Sequence, residues 1–151
     1  MFDKLIFREA QIDDVHVIVE LLLDDVLGKT REDISQINVY TEQFKRIAMS
    51  QTQKLFVVEF GEDIIGCCEL SILYSLTLSC GTRLFVEGVR VNKNHRSHGI
   101  GAWMFDKIKL YAKESNCSLI QLTTNKIRTD AHKFYTKLGF ENSHEGFKLK
   151  I

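Results

Sequence analysis

The chain has 151 residues, of which 44% are hydrophobic and 26% charged, and its 20 basic side chains balance its 20 acidic ones. This size and composition predict one globular domain, residues 1–151, that needs neither a disulfide nor a metal to fold. The lack of a basic excess argues against nucleic-acid binding, and no apolar run reaches the roughly 20 residues of a membrane helix.

The four cysteines form no C-x-x-C pair, and the first residues do not follow the pattern of a signal peptide. We therefore expect a cytoplasmic protein with reduced thiols and no zinc site. If the adjacent residues Cys67 and Cys68 lie on a strand, their side chains point to opposite faces of the sheet.

Hydrophobic periodicity predicts a short strand at residues 5–7 and then two helices. The first helix is capped by Asp13 or Asp14 and ends at Gly28. The second covers 36–50 and is more polar. The apolar positions of the two helices are Val15, Ile18, Val19, Leu22 and Val26 in the first, and Val39, Phe44, Ile47 and Ala48 in the second.

The remaining pattern predicts mainly strands, separated by two more helices. Segments 55–60 and 64–73 form a hairpin around the turn 61–63. They are followed by a strand at 83–91, a helix at 99–115, a buried strand at 119–122, a helix from Thr129 or Asp130 to a cap at Gly139, and a final strand at 146–151. This order is typical of a mixed α/β sheet with helices on its faces.

The glycine-rich turn between the strand ending at Val91 and the next helix is the first candidate binding site. Gly99 and Gly101 open that helix, where free backbone N–H groups can bind a phosphate or pyrophosphate. Arg96 can add a planar donor group for the same anion. A glycine pair at this place is more often an ordinary turn. Two nucleotide motifs do not fit, because the P-loop pattern is missing and Met104 occupies the third glycine position of a dinucleotide fold.

A second sequence motif, in the last third of the chain, supports a binding role for the glycine-rich turn. Its residues are Asn125, Ala131, Phe134, Tyr135, Gly139 and Phe140. Together with Arg96-Ser97-His98-Gly99-Ile100-Gly101, this pattern resembles the GCN5-related N-acetyltransferase (GNAT) family, whose motifs are (Q/R)-x-x-G-x-(G/A) and N…A-x-x-F-Y-x-x-x-G-F. The tail is also similar to a branch that includes aminoalkylphosphonate N-acetyltransferases, through Arg128, His132, Ser143 and His144.

The resemblance implies the acyl-CoA N-acyltransferase fold, a mixed and mostly antiparallel sheet flanked by about four helices. The strand ending at Val91 would splay from the strand at 119–123 and take acetyl-CoA in the cleft. The implied cofactor-binding residues are Val89, Arg90 and Val91 for the pantetheine arm, Arg96, Ser97, His98, Gly99, Ile100, Gly101 and Ala102 for the pyrophosphate, Asn125 and Tyr135 near the sulfur end, and also Ala131 and Phe134.

The implied activity is transfer of an acetyl group from acetyl-CoA to a primary amine of a small molecule by direct attack. A protonated alkylamine needs a base before it can attack, and Glu87 resembles the family's base, although a surface glutamate is the alternative. The backbone N–H of Val89 would stabilise the oxyanion. Tyr135 would protonate the leaving thiolate, with a core aromatic as the alternative.

Two other functions remain open, an acetyltransferase acting on protein lysines or N-termini, and a non-catalytic acetyl-CoA-binding regulatory module. Retention of both Glu87 and Tyr135 weighs against the module. The expected partners are acetyl-CoA and a small amine, without metal, nucleic acid or membrane, and a homodimer is compatible with the family. Asp24, Asp25 and Glu69 are candidates for the acceptor pocket or ordinary surface charges, and Gly88 suggests a β-bulge or a close backbone approach.

Overall fold

The computed structural model of the protein describes residues 2–25 and 27–151. Five strands form one mixed sheet in the order β1-β2-β3-β4-β5, and the first three pairings are antiparallel. The strands are β1 (Leu5–Glu9), β2 (Gln53–Phe60), β3 (Asp63–Leu73), β4 (Arg83–Val91) and β5 (Leu119–Leu122). The helices are α1 (Val15–Leu23), α2 (Ile37–Met49), α4 (Ile100–Glu114) and α5 (Thr129–Lys137), and the segment labelled α3 (Thr77–Cys80) is a single turn with left-handed backbone angles. The predicted mixed α/β fold is confirmed.

The chain divides into two compact units. The first ends at Gln121 and contains β1 to β4 with α1 to α4, and the second, Leu122–Ile151, contains α5. The prediction of one domain over residues 1–151 stays a prediction.

Both faces of β3 are covered, as expected for a central strand. Cys67 and Cys68 are both buried, and Cys67 packs in a cluster with the α1 residues Ile18 and Val19. Burial raises the pKa of the Cys67 thiol to about 12, so this cysteine behaves as a small apolar side chain rather than as a nucleophile.

A partly buried ion-pair network connects the beginning of α1 to the sheet. The guanidinium of Arg8 on β1 donates to Asp14 at 2.7 Å and to Glu59 on β2 at 2.6 Å. The Asp14 carboxylate also accepts the backbone N–H of Gln11. Burial alone would raise the pKa of Asp14, but the hydrogen bonds from Arg8 and Gln11 outweigh it and lower the pKa. Asp14 therefore stabilises the entry to α1 through Arg8 rather than by bonding the first amides of the helix.

The predicted end of the first helix was wrong. Helix α1 ends at Leu23, and Gly28 lies in a following 3₁₀ turn. Gly28 packs so closely on α1 that a Cβ at this position would lie 1.9 Å from the carbonyl oxygen of Leu22. The glycine is therefore needed for close packing and not as a helix cap. Val26, predicted on the apolar face of this helix, lies outside the described residues.

Three smaller expectations also need correction. No strand forms at 146–151, where the alternating side chains of Phe147, Leu149 and Ile151 are exposed, because alternation is a local signal and a strand also needs an edge to pair with. β5 is not buried, since Leu119 is 38% exposed. On α2, Val39 and Ala48 face solvent, and only Phe44 and Ile47 are buried.

The predicted positions of α4 and α5 are confirmed, but Arg128 rather than Thr129 or Asp130 stands at the N-cap of α5, and no side chain among the described residues caps the start of that helix. Ile100, Met104 and Ile108 form the buried face of α4. Gly139 follows α5 with a φ of +91°, and its N–H and that of Phe140 donate to the last turn of the helix. This is the left-handed cap for which glycine is favoured.

Candidate active site

A β-bulge interrupts β4 where the sequence places Gly88. Between the paired residues Cys67–Arg90 and Glu69–Glu87, β3 has one residue and β4 has two. Gly88 has a φ of +59°, the left-handed conformation that this kind of bulge requires. The bulge places Glu87 and Arg90 on one face of the sheet, the face that α1 covers, and it leaves one β4 residue outside the regular ladder.

The second half of β4 extends beyond its neighbour β5. β4 has nine residues and β5 has four. The N–H of Ser118 donates to the carbonyl of Thr82 at 2.8 Å, so β5 lies beside the beginning of β4. We therefore infer that β5 does not pair residues 87–91. In this part of β4 the carbonyl oxygens of Val89 and Val91 accept hydrogen bonds from the guanidinium groups of Arg90 and Arg96. The splay of the two strands stays a prediction.

The turn before α4 exposes the backbone of the helix N-terminus. Ser97 and Gly99 have left-handed backbone angles, with φ of +65° and +80°, and a Cβ on Gly99 would lie 3.2 Å from the ring of Phe2. The first helical bond of α4 runs from the N–H of Trp103 to Gly99. The N–H groups of the three preceding residues, 100–102, precede this first helical bond and have no helical acceptor. That they bind an anion stays a prediction.

Arg96 makes contacts that the sequence did not indicate. Its guanidinium donates to the carbonyl of Val91 at 2.9 Å, to the carbonyl of Asp24 at 2.7 Å and to the Asp24 carboxylate at 3.2 Å. The same carboxylate accepts the N–H of Lys93. These contacts fix the turn against the end of α1, so Arg96 shapes the anion site in addition to any contact with the anion.

Asp25, the next residue after Asp24, also forms an ion pair with an arginine. Arg90 pairs with Asp25 at 3.1 Å, and both side chains are only 15% exposed. Asp24 and Asp25 were considered for the acceptor pocket, and in the structure they contact the cofactor-side arginines. The sequence could not predict these two ion pairs, because each joins residues more than 60 positions apart and nothing in the segment around the aspartates indicates an arginine partner.

The proposed base Glu87 is exposed and lies directly opposite Glu69. Glu69 is half-buried and accepts a hydrogen bond from the side-chain amide of Gln53 on β2. Burial raises the pKa of Glu69, the Gln53 bond lowers it, and the charge of Glu87 raises it further, with a net rise. Gln53 was missed in the sequence, although its period-two spacing from Leu55 places it on the same face as Glu69.

The second unit holds the remaining predicted residues. Asn125 is exposed, and its carbonyl accepts the N–H of Arg128 at 3.0 Å and lies 3.1 Å from Nε2 of His132. Ala131, Phe134 and Tyr135 are half-buried on α5, and the Tyr135 ring packs edge-on against Phe134 at 5.3 Å. The turn and the aromatic pair are thus formed as the family signature implies.

The remaining candidates have simpler roles. His98 and His144 are exposed. Among residues 2–25 and 27–151, no three His, Cys, Asp or Glu side chains group closely enough to hold a metal ion. None of the helices in these described ranges has the length and apolar character to cross a membrane.

The bulged strand, the exposed helix N-terminus and the mixed sheet define an acyl-CoA N-acyltransferase fold. The chain belongs to the acetyltransferase (GNAT) family, whose model matches residues 19–140. It is an acetyl-CoA-dependent N-acetyltransferase.

Similar proteins span nearly the whole chain. A structure described as a transcriptional regulator from Bacillus halodurans C-125 is 39% identical, with a TM-score of 0.93, and covers 97% of this chain and 99% of its own. The aminoglycoside N-acetyltransferase AAC(6')-Iy in complex with CoA is 16% identical with a TM-score of 0.80, over 97% and 94% of the two chains, which supports the fold. In sequence, the uncharacterized N-acetyltransferase YhdJ of Bacillus subtilis (strain 168) is 23% identical over 76% of this chain and 80% of its own length.

Proposed function

We propose that the protein acetylates a primary amine of a small molecule by direct attack, with Glu87 as the base. The observation that carries this proposal is the place of Glu87, which is exposed at the last paired position before the bulge, where β4 extends beyond β5. A carboxylate at this place can take a proton from an ammonium ion beside the strand proposed to hold the thioester.

The proposed reaction uses two further groups of the chain. After Glu87 takes one proton, the nitrogen lone pair forms a bond to the thioester carbonyl carbon, and the backbone N–H of Val89 in the bulge stabilises the oxyanion. The carbon–sulfur bond then breaks and Tyr135 protonates the thiolate. The second proton of the nitrogen restores the phenol, so the products are an acetamide, free coenzyme A and a proton on Glu87. The role of Tyr135 is supported by its position in the family signature.

We propose that the cofactor is bound mainly through backbone groups. The N–H groups at the start of α4 would receive the pyrophosphate, helped by the helix dipole. The backbone of residues 89–91 would bind the pantetheine arm. Arg96 would act partly through the turn that it fixes to Asp24.

For the acceptor, the tail resembles the aminoalkylphosphonate branch, and one structural neighbour is an aminoglycoside acetyltransferase. A panel containing both substrate classes, with a lysine peptide as the protein-acetylation alternative, tests the proposal through the release of coenzyme A thiol. Turnover of only the peptide would overturn the small-molecule assignment.

The decisive variant is Glu87→Gln, which keeps the side-chain shape and removes the charge. The turnover number at pH 7 should fall by roughly 10²-fold and recover in part at higher pH, where the amine loses its proton unaided. Glu62→Gln, in the exposed β2–β3 turn, is the control that should change nothing. A raised KM with an unchanged turnover number would make Glu87 an anchor for the ammonium ion, and unchanged values of both would remove it from the mechanism.

A second candidate, an acetyl-CoA-binding regulatory module, is favoured by the similarity to the Bacillus halodurans protein described as a transcriptional regulator. That function predicts acetyl-CoA binding by calorimetry and no thiol release with any member of the panel.

A further inference from the structure

Two carboxylates face each other across β3 and β4 beside the proposed reaction site. Glu69 and Glu87 are directly paired in the register of the two strands. Directly opposite residues of an antiparallel pair have Cβ atoms about 5 Å apart, and like charges at this distance destabilise the sheet. Glu69 cannot turn freely away from its neighbour, because its side chain is half-buried and bonded to the amide of Gln53.

In the described part of the chain, this pair of carboxylates forms no ion pair, although Arg90 lies on the same face of the sheet, opposite Cys67. Among residues 2–25 and 27–151, no Lys, Arg or His side chain forms an ion pair with either carboxylate. The titratable groups that interact with Glu69 are Glu87 and the buried thiols of Cys67 and Cys68. Glu59 on the neighbouring strand β2 differs from these two carboxylates, because it forms an ion pair with Arg8, as partly buried carboxylates usually do with a basic side chain. A half-buried carboxylate held opposite another without a counter-ion lowers stability, and such local conflicts are typical of functional positions.

We propose that Glu69 is a positioning residue that assists acetyl transfer through Glu87. Its carboxylate holds a negative charge opposite Glu87, and this charge makes Glu87 a better acceptor of the ammonium proton. The inference rests on the proposed role of Glu87. Gln53 fixes the orientation of the Glu69 carboxylate, and the proton itself goes to Glu87, which is the more exposed of the two.

A double-mutant cycle in the full chain tests this role. Two unit charges about 5 Å apart in water repel enough to change an equilibrium about fourfold. Glu69→Gln should therefore lower kcat/KM by up to about fourfold. In a Glu87→Gln background the same substitution should leave kcat/KM unchanged. Equal losses in both backgrounds would overturn the proposal.

The stability of the variants separates this role from a purely structural one. Glu69→Gln removes the repulsion and keeps a hydrogen-bonding partner for Gln53, so its Tm should equal or exceed that of the parent protein. The matched control Glu59→Gln breaks the pair with Arg8 and should lower Tm without lowering kcat/KM. If Glu69→Gln lowers both Tm and activity, Glu69 has a structural role instead.

The coupling between Glu69 and Glu87 can also be measured in the absence of an amine substrate, so this test does not depend on the proposed function. The pKa of Glu69, followed by carbon-13 NMR of its carboxyl group, should fall in Glu87→Gln, because the charge of Glu87 contributes to its rise. An unchanged pKa would refute the coupling. Failure of the parent protein to release thiol with any amine would instead contradict the proposed function, and it would be seen before any variant is compared.

Discussion

The bulge at Gly88 gives the sharpest test of how the backbone forms the cofactor site. In Gly88→Ala the new Cβ has its nearest neighbour, Cδ2 of Leu22, at 3.9 Å, so no clash arises. The cost lies in the backbone, since φ is +59° and a residue with a side chain loses about 1–2 kcal/mol in the left-handed region. The free energy of unfolding should fall by this amount, and Tm by about 2–4 °C for each kcal/mol in a chain of this size.

Gly61 provides a matched control in the same sheet. It has a φ of +66° in the β2–β3 turn and no atom within 4 Å of a built Cβ, so Gly61→Ala should lose a similar amount of stability. The two variants should differ in function. At Gly88 the strained backbone belongs to the bulge that directly precedes residues 89–91, which are proposed to bind the pantetheine arm, whereas Gly61 lies in the β2–β3 turn.

Acetyl-CoA affinity, measured by calorimetry, should therefore fall only in Gly88→Ala. Loss of one or two backbone hydrogen bonds to the pantetheine arm, at about 1 kcal/mol each, corresponds to a Kd increase of about 5- to 30-fold. Equal Kd values in the two variants, with both proteins destabilised, would show that the bulge does not form the cofactor site.

Three further results are expected. Gly101→Val should abolish the thermal stabilisation by acetyl-CoA, about 2.7 kcal/mol at one hundred times Kd, with little change in the free protein; a retained shift would remove the turn from the cofactor site. Tyr135→Phe should lower the turnover number by roughly 10²-fold at unchanged cofactor affinity, and a less basic thiol donor should reduce this defect; normal turnover would make Tyr135 a packing residue. Asp14→Asn should cost about 1 kcal/mol at pH 7. The pKa of Asp14 is lowered in the folded state, so its contribution to stability is present above the unfolded-state pKa and is lost as pH falls through the folded-state pKa. The difference in Tm between Asp14→Asn and the parent protein should therefore shrink to zero in acid. A Tm difference that does not change with pH would refute this reasoning.

The sequence allowed prediction of those parts of the fold that depend on local chemistry. Helix α4 follows from the spacing of Ile100, Met104 and Ile108, and the bulge follows from a glycine inside a strand pattern. The turn before α4 was placed correctly because Gly99 adopts the positive φ that such a turn favours.

Features that depend on distant partners could not be predicted. The contacts of Arg96 with Asp24 join residues 72 positions apart, and no local pattern in either segment indicates them. The end of α1 was misplaced because Gly28 is required by close packing on Leu22 and not by a positive φ. The segment 146–151 has the alternation of a strand without forming one.

The two arginine–aspartate contacts make the end of α1 a structural part of the proposed cofactor site. Asp24 fixes the turn before α4 through Arg96, and Asp25 fixes the bulged strand through Arg90. A chimera that exchanged the α1–α2 connection for that of another family member, for instance to change the acceptor, would also remove these two supports. Redesign of this connection therefore has to keep both aspartates, together with the glycine at position 28 that allows the chain to pass so close to the last turn of the helix.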